Sequence, residues 1–205
     1  MSKKLQIILF LIFILLSIYV KFNPIISWDL FITQSLQSFN VFWFDLLMKF
    51  ISKLGNHISW GISLLAAIFL LLLLKKKKDA FLIFTSTLGA LFLSEFAKII
   101  IARPRPDPTL IYQFEKLSRF DSFPSGHVLF AMGFYGFIFY LIYKNLKKGL
   151  LKNLLLVSCI LVILLMGLSR VYLGSHWFSD VLGSYLIGIV WLILMASIYK
   201  RMQIK

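Results

Sequence analysis

Six long apolar runs constrain this chain more than any other feature. They lie near residues 5–21, 57–74, 80–101, 126–143, 153–169 and 179–199. Each is long enough, or nearly so, to cross the hydrocarbon layer of a bilayer as a helix, which takes about 20 apolar residues. In that layer every backbone N–H and C=O must be satisfied within the chain, so such a run reads as a helix. The expected fold is all-α, a six-transmembrane-helix bundle, with residues 1–205 as a single integral-membrane domain. A hydrophobic fraction of 60% and a mean hydropathy of +0.89 set the chain apart from ordinary soluble domains.

The first run has a second reading, because a basic start followed by an apolar stretch also describes a signal peptide. The run is long and no small-x-small cleavage site follows it, so a retained first membrane helix is expected. Between the first two runs lies "NPIISWDLFITQSLQSFNVFWFDLLMKFISKLGN", mixed polar and aromatic. Trp28, Phe31, Phe42, Trp43 and Phe44 suit the headgroup zone, so short interfacial helices are expected in this first extracytoplasmic loop. A loosely packed loop is the plainer alternative.

The formal charge of +14 raises the possibility of nucleic-acid binding. The basic residues argue against it, because they fall in short clusters between the apolar runs. Lys3 and Lys4 precede the first run, Lys75 to Lys78 follow the second, Lys144, Lys147, Lys148 and Lys152 separate the fourth and fifth, and Lys200, Arg201 and Lys205 end the chain. With six spans all four clusters fall on one side, accompanied only by Asp79. Lys and Arg favour the cytoplasm, so both termini are expected there. The single cysteine, Cys159, lies within an apolar run, and no Cys/His cluster has zinc-site spacing.

The opposite side carries three polar stretches. In "KIIIARPRP", Pro104 and Pro106 should end the third span at about Ala102, leaving Lys98 one turn inside and Arg103 and Arg105 in a stiff loop. Alone, these cations read as headgroup anchors. In "SFPSGHVLF", Pro124 suits a helix start, where the amides of Gly126 and His127 would face an anion, with Ser125 adding a hydroxyl. In "SRVYLGSHWFSD", Arg170 closes the fifth span, His176 opens the sixth, and Asp180 follows four residues later on the same face. A carboxylate there can hold one imidazole nitrogen and leave the other free to attack. Alone, that pair reads as a capping Asp and a structural His. Together, the groups have the makings of a phosphate site, since ionisable residues at the ends of membrane spans are rarely without use.

The three stretches resemble the three motifs of the type 2 phosphatidic acid phosphatase superfamily. Lys98, six residues, then Arg105-Pro106 is similar to the first, Pro124-Ser125-Gly126-His127 to the second, and Ser169-Arg170, five residues, His176, three residues, Asp180 to the third. The resemblance implies that His176 is the nucleophile, Asp180 its orienter and His127 the acid for the leaving group. It implies that Lys98, Arg105, Ser125, Gly126 and Arg170 hold the phosphate, with no metal or other cofactor. The implied substrate is a lipid phosphate or diphosphate at the extracytoplasmic face of the cell membrane: undecaprenyl diphosphate, phosphatidylglycerol phosphate or phosphatidate. No nucleic-acid partner is expected.

Three other functions compete. Vanadate-binding halide-oxidising relatives share this pocket but are soluble. A transporter would carry charges along several spans at mid-membrane depth, where Glu95 is the main acidic candidate here. A non-catalytic lipid-phosphate-binding protein would not need the intact set of His127, His176 and Asp180.

Overall fold

A computed structural model describes residues 3–114 and 122–203. Lys205 of the last basic cluster lies outside them. Eight helices follow one another, and among the described residues there is no strand: α1 (Lys3–Phe22), α2 (Ser27–Gln37), α3 (Phe42–Leu54), α4 (His57–Leu73), α5 (Lys77–Ile101), α6 (Gly126–Asn145), α7 (Leu150–Tyr172) and α8 (Phe178–Gln203). Five of these, α1, α5, α6, α7 and α8, are long and apolar enough to cross a bilayer alone. The second predicted span, α4, is 17 residues long and follows α3 across a 60° bend, the pair together passing as a sixth span. Two short helices, α2 and α3, form where short interfacial helices were expected, between α1 and α4.

Helix α6 runs through the middle of the bundle. Its Phe130, Phe134 and Phe137 pack with Leu82 and Ile83 of α5 and with Met195 and Tyr199 of α8. It carries one π-helical segment, Met132–Gly136, where the Gly133 carbonyl accepts a hydrogen bond of 2.8 Å from Ser86 Oγ. Around this centre α1 packs on α8, α4 on α5, and α3 on α7. The outward faces remain apolar: Ile8, Leu11 and Leu15 on α1, Ile62, Leu65 and Phe69 on α4, and Leu154, Leu161 and Leu164 on α7 are all exposed. Against lipid tails such faces lose nothing, so close packing and internal hydrogen bonds, not exclusion from water, must hold these helices together.

The lysines at 75–78, the end of α6 and the end of α8 gather at one end of the bundle. Lys78 at the start of α5 donates to the Met202 carbonyl at the end of α8 (2.8 Å), and Asn145 at the end of α6 bonds Tyr199. The three polar stretches meet at the other end. Helix α5 stops at Ile101, as the prolines predict, with Ala102 in the left-handed region at φ 50°.

Candidate active site

Four segments build the site: the end of α5 with residues 102–106, the start of α6, the turn from α7 to α8, and the bend between α3 and α4. The α7–α8 turn is tight because Gly174 adopts φ +67°, with the Tyr112 carbonyl 2.3 Å from where a Cβ would stand. Only glycine meets both conditions. The turn then folds back, with the amides of Ser175 and His176 both donating to the Arg170 carbonyl at 3.0 and 3.1 Å. Helix α8 begins at Phe178, two residues after His176. The nucleophile candidate therefore sits on the turn and not, as the spacing suggested, in the helix.

His176 is nearly fully buried and its tautomer is fixed. Nδ1 lies 2.7 Å from the Ser122 carbonyl oxygen, which can only accept, so Nδ1 carries the proton. Nε2 is left with its lone pair and faces Arg105 Nη1 at 3.3 Å. Burial, then the charges of Arg105, Arg170 and Lys98, hold the imidazole well below its ordinary value, and the Ser122 carbonyl opposes this only in part. A neutral ring with a free nitrogen is the form that attacks.

Asp180 sits beside this ring but does not form its shortest contact. Its Oδ2 is 3.6 Å from His176 Nδ1. The same oxygen accepts from the Trp177 amide at 2.9 Å and from the Ser122 hydroxyl. Asp180 thus holds Ser122, and Ser122 holds the imidazole. The motif spacing suggested a direct hold by Asp180 on the imidazole and did not show this relay.

The cations converge on the same place. Arg105 Nη1 donates to the Ser175 carbonyl at 2.9 Å, next to its contact with His176. Arg170 is buried and donates to Ser52 Oγ of α3, which ties the interfacial helix to the site. Lys98 Nζ lies 3.6 Å from where a Cβ on Gly126 would stand, and it pairs with Glu95 at 2.8 Å. At the start of α6, intrahelical bonding begins with the Leu129 amide on the Ser125 carbonyl, so the amides of Gly126 and His127 precede it. Ser125 Oγ is buried with no hydrogen-bond partner among the described residues. Such a hydroxyl is costly unless a ligand oxygen meets it.

His127 packs into the α3–α4 bend. Its Nε2 lies 3.3 Å from the Asn56 amide oxygen. A Cβ on Gly55 would stand 2.5 Å from the ring, so the bend must carry a glycine there for the ring to fit. Sequence reasoning missed Gly55, Asn56, Ser52 and Ser122, because their roles depend on contacts between segments distant in sequence. A cavity of about 710 Å³ lies elsewhere, along the exposed face of α3 between Trp43, Phe50 and Phe114. Among the described residues, no three His, Cys, Asp or Glu side chains are grouped to hold a metal ion.

Comparison with known proteins decides the family. The model of the PAP2 superfamily matches residues 79–203, which hold all three motifs. The chain belongs to the PAP2 superfamily. This PAP2 protein is 29% identical to phosphatidylglycerophosphatase B of Bacillus subtilis over 95% of each chain. It is 29% identical to an undecaprenyl-diphosphatase of Sulfolobus acidocaldarius, over 88% of this chain and 84% of that one. Among solved structures, it resembles a transmembrane PAP2-type phosphatidylglycerolphosphate phosphatase from Bacillus subtilis, with a TM-score of 0.80, 26% identity and 96% of each chain covered. The PAP2 model begins at Asp79, so α1 to α4, including Asp29, Ser52, Gly55 and Asn56, lie outside the matched region.

Proposed function

We propose that this PAP2 protein, a lipid phosphatase by its family and relatives, hydrolyses the terminal phosphate of a membrane lipid phosphate or diphosphate through a phosphohistidine on His176. The observation that carries the reading is the fixed tautomer of His176: Nδ1–H on the Ser122 carbonyl, and Nε2 aimed at Arg105. An entering phosphate takes over the Arg105 contact. Lys98, Arg105 and Arg170 neutralise its charge, while Ser125 Oγ and the Gly126 amide bind its oxygens.

The Nε2 lone pair attacks phosphorus, the P–N bond forms and the bond to the leaving oxygen breaks. His127 gives its proton to that oxygen. The ring, now phosphorylated and still carrying the Nδ1 proton, is positively charged. The Ser122 carbonyl and the Asp180 carboxylate lie on its Nδ1 side to stabilise that charge. Water then attacks phosphorus, His127 takes up a proton, the P–N bond breaks and inorganic phosphate leaves. Every group needed is a side chain or amide, so the reaction is proposed to be metal-independent.

The substrate is one of undecaprenyl diphosphate, phosphatidylglycerol phosphate or phosphatidate. The names of the two relatives support the first two, and the lipid-facing surfaces beside the site support a lipid in general. Turnover of these three by purified protein is the direct test. Release of phosphate from none of them, with His176 intact, would overturn the reading. The clustering of basic residues at the end opposite the site supports cytoplasmic termini and an extracytoplasmic site. In a Cys159→Ser background, Thr109→Cys should react with an impermeant thiol reagent in intact cells, and Lys77→Cys only after permeabilisation. The reverse pattern would place the site in the cytoplasm.

A further inference from the structure

Arg103 is two residues from the motif arginine and is 1% exposed. A fully buried guanidinium requires partners, and it has four. Nη1 donates to Asp180 Oδ1 at 2.5 Å and to Ser179 Oγ at 2.7 Å. Nη2 donates to Asp29 Oδ2 at 2.8 Å, and Nε to the Pro24 carbonyl at 3.1 Å. Asp29 comes from the interfacial helix α2, is itself fully buried, and accepts the Ser179 amide at 2.8 Å and the Ser179 hydroxyl at 2.5 Å. The Arg103 carbonyl also accepts the Ser122 amide at 3.0 Å. So Asp29, Arg103, Asp180, Ser122 and His176 form one continuous buried chain.

We propose that Asp29 and Arg103 are positioning residues: they set the net charge behind His176 through Asp180 and hold Ser122, whose carbonyl orients the ring. The inference rests on the reading of His176 as nucleophile. Two acidic side chains share one guanidinium, so acids outnumber bases by one in this chain. That excess faces a ring which becomes positive on phosphorylation. A clamp serving only to dock α2 would have no reason to end on the carboxylate beside the nucleophile. Burying three charges is costly, and removing one leaves its partner uncompensated. A system that only needed stability would do as well with apolar packing.

Two variants should shift the ring in opposite directions. The groups that act on His176 are Arg105, Arg170 and Lys98, Asp180 at 3.6 Å from Nδ1, and His127, which lies within electrostatic reach. Asp29→Asn, nearly isosteric, gives all of Arg103 to Asp180 and removes the net charge behind the ring. Arg103→Met leaves Asp180 and Asp29 uncompensated. The test is the titration of the imidazoles, read by ¹⁵N NMR on histidine-labelled full-length protein in detergent. The chain has three histidines, and His57→Gln and His176→Ala assign them.

Asp29→Asn should move the His176 titration to lower pH, and Arg103→Met should move it to higher pH. Asp29→Asn should also lower kcat on a lipid phosphate by about tenfold to a hundredfold, in the range seen for groups that orient an active ligand from behind, with KM within about threefold. Arg103→Lys should keep the charge and leave the titration in place, while losing part of kcat because a lysine cannot bridge both carboxylates. A purely structural role would move thermal stability alone. An Asp29→Asn protein with wild-type His176 titration and kcat would overturn the inference, and it does so whether or not Arg103→Met folds. Full turnover by His176→Ala would instead overturn the reading of the nucleophile, which the titrations do not test.

Discussion

The imidazole of His176 donates its Nδ1 proton to the backbone carbonyl of Ser122, 2.7 Å away. A backbone acceptor cannot be removed by mutating its own side chain. The ring should therefore keep its tautomer when other supports are lost.

That relationship sets the cost of losing Asp180. Where a carboxylate is the only device fixing a catalytic tautomer, its amide variant loses about 10⁴ in rate. Here Asp180→Asn should retain the Nδ1–H tautomer, while losing charge stabilisation of the phosphorylated ring and part of the hold on Ser122 and Arg103. We expect kcat to fall about 10²- to 10³-fold, less than for His176→Ala, with vanadate binding retained. Initial rates on a lipid phosphate, with tautomer read by ¹⁵N NMR, check this. A loss equal to that of His176→Ala would show that Ser122 does not hold the ring.

Gly55 predicts an indirect route to the same chemistry. A Cβ there meets the His127 ring at 2.5 Å, so Gly55→Ala must push the proposed acid aside. Turnover of lipid phosphates should fall about 10²-fold, since a positioned acid supplies 10² to 10⁴. Hydrolysis of p-nitrophenyl phosphate should change little, because its leaving group needs no proton. His127→Ala should show the same split. Equal losses on both substrates would remove His127 from the acid role.

The environment of His176 predicts a pH dependence. Its folded value is held well below the ordinary 6.5 by burial and then by Arg105, Arg170 and Lys98. Protonation is thus disfavoured in the folded state. The stabilising contribution is full above the ordinary value and erodes as pH falls through 6.5 towards the folded value. The neutral Nδ1–H signature of His176 should persist at pH 6.5, and thermal stability should begin to fall below it. Half-protonation of His176 at or above pH 6.5 would contradict the burial argument.

Among the described residues, no three His, Cys, Asp or Glu side chains are grouped to hold a metal ion near the expected phosphate position. EDTA should leave turnover unchanged, and vanadate should inhibit, because its five-coordinate form matches the transferring phosphoryl group. Activity lost in EDTA and restored by a divalent ion would require a metal in the mechanism.

Much of this architecture was legible in the sequence, because bilayer thickness and proline chemistry act locally. The apolar runs mark α1 and α5 to α8, and Pro104 and Pro106 mark the end of α5. The motif residues Lys98, Arg105, Gly126, His127, Arg170, His176 and Asp180 are brought to one end of the bundle as their spacing implied. What was not legible depends on tertiary contact. Nothing local distinguishes Asp29 from any other acid in a helix's first turn, yet it is buried against Arg103. The Ser122 carbonyl has no sequence signature, because backbone acceptors carry none. Hydropathy registers neither the start of α8 at Phe178 nor the α3–α4 bend, where His127 packs against Gly55.

The central claim is that His176 Nε2 forms a bond to phosphorus. The most direct measurement is a rapid alkaline quench of the full-length protein turning over a ³²P-labelled lipid phosphate, followed by peptide mapping. The account predicts an alkali-stable, acid-labile phosphopeptide containing His176, absent in His176→Ala, which should also lose several orders of magnitude in turnover. Turnover without any labelled protein, or label and activity that survive in His176→Ala, would contradict it.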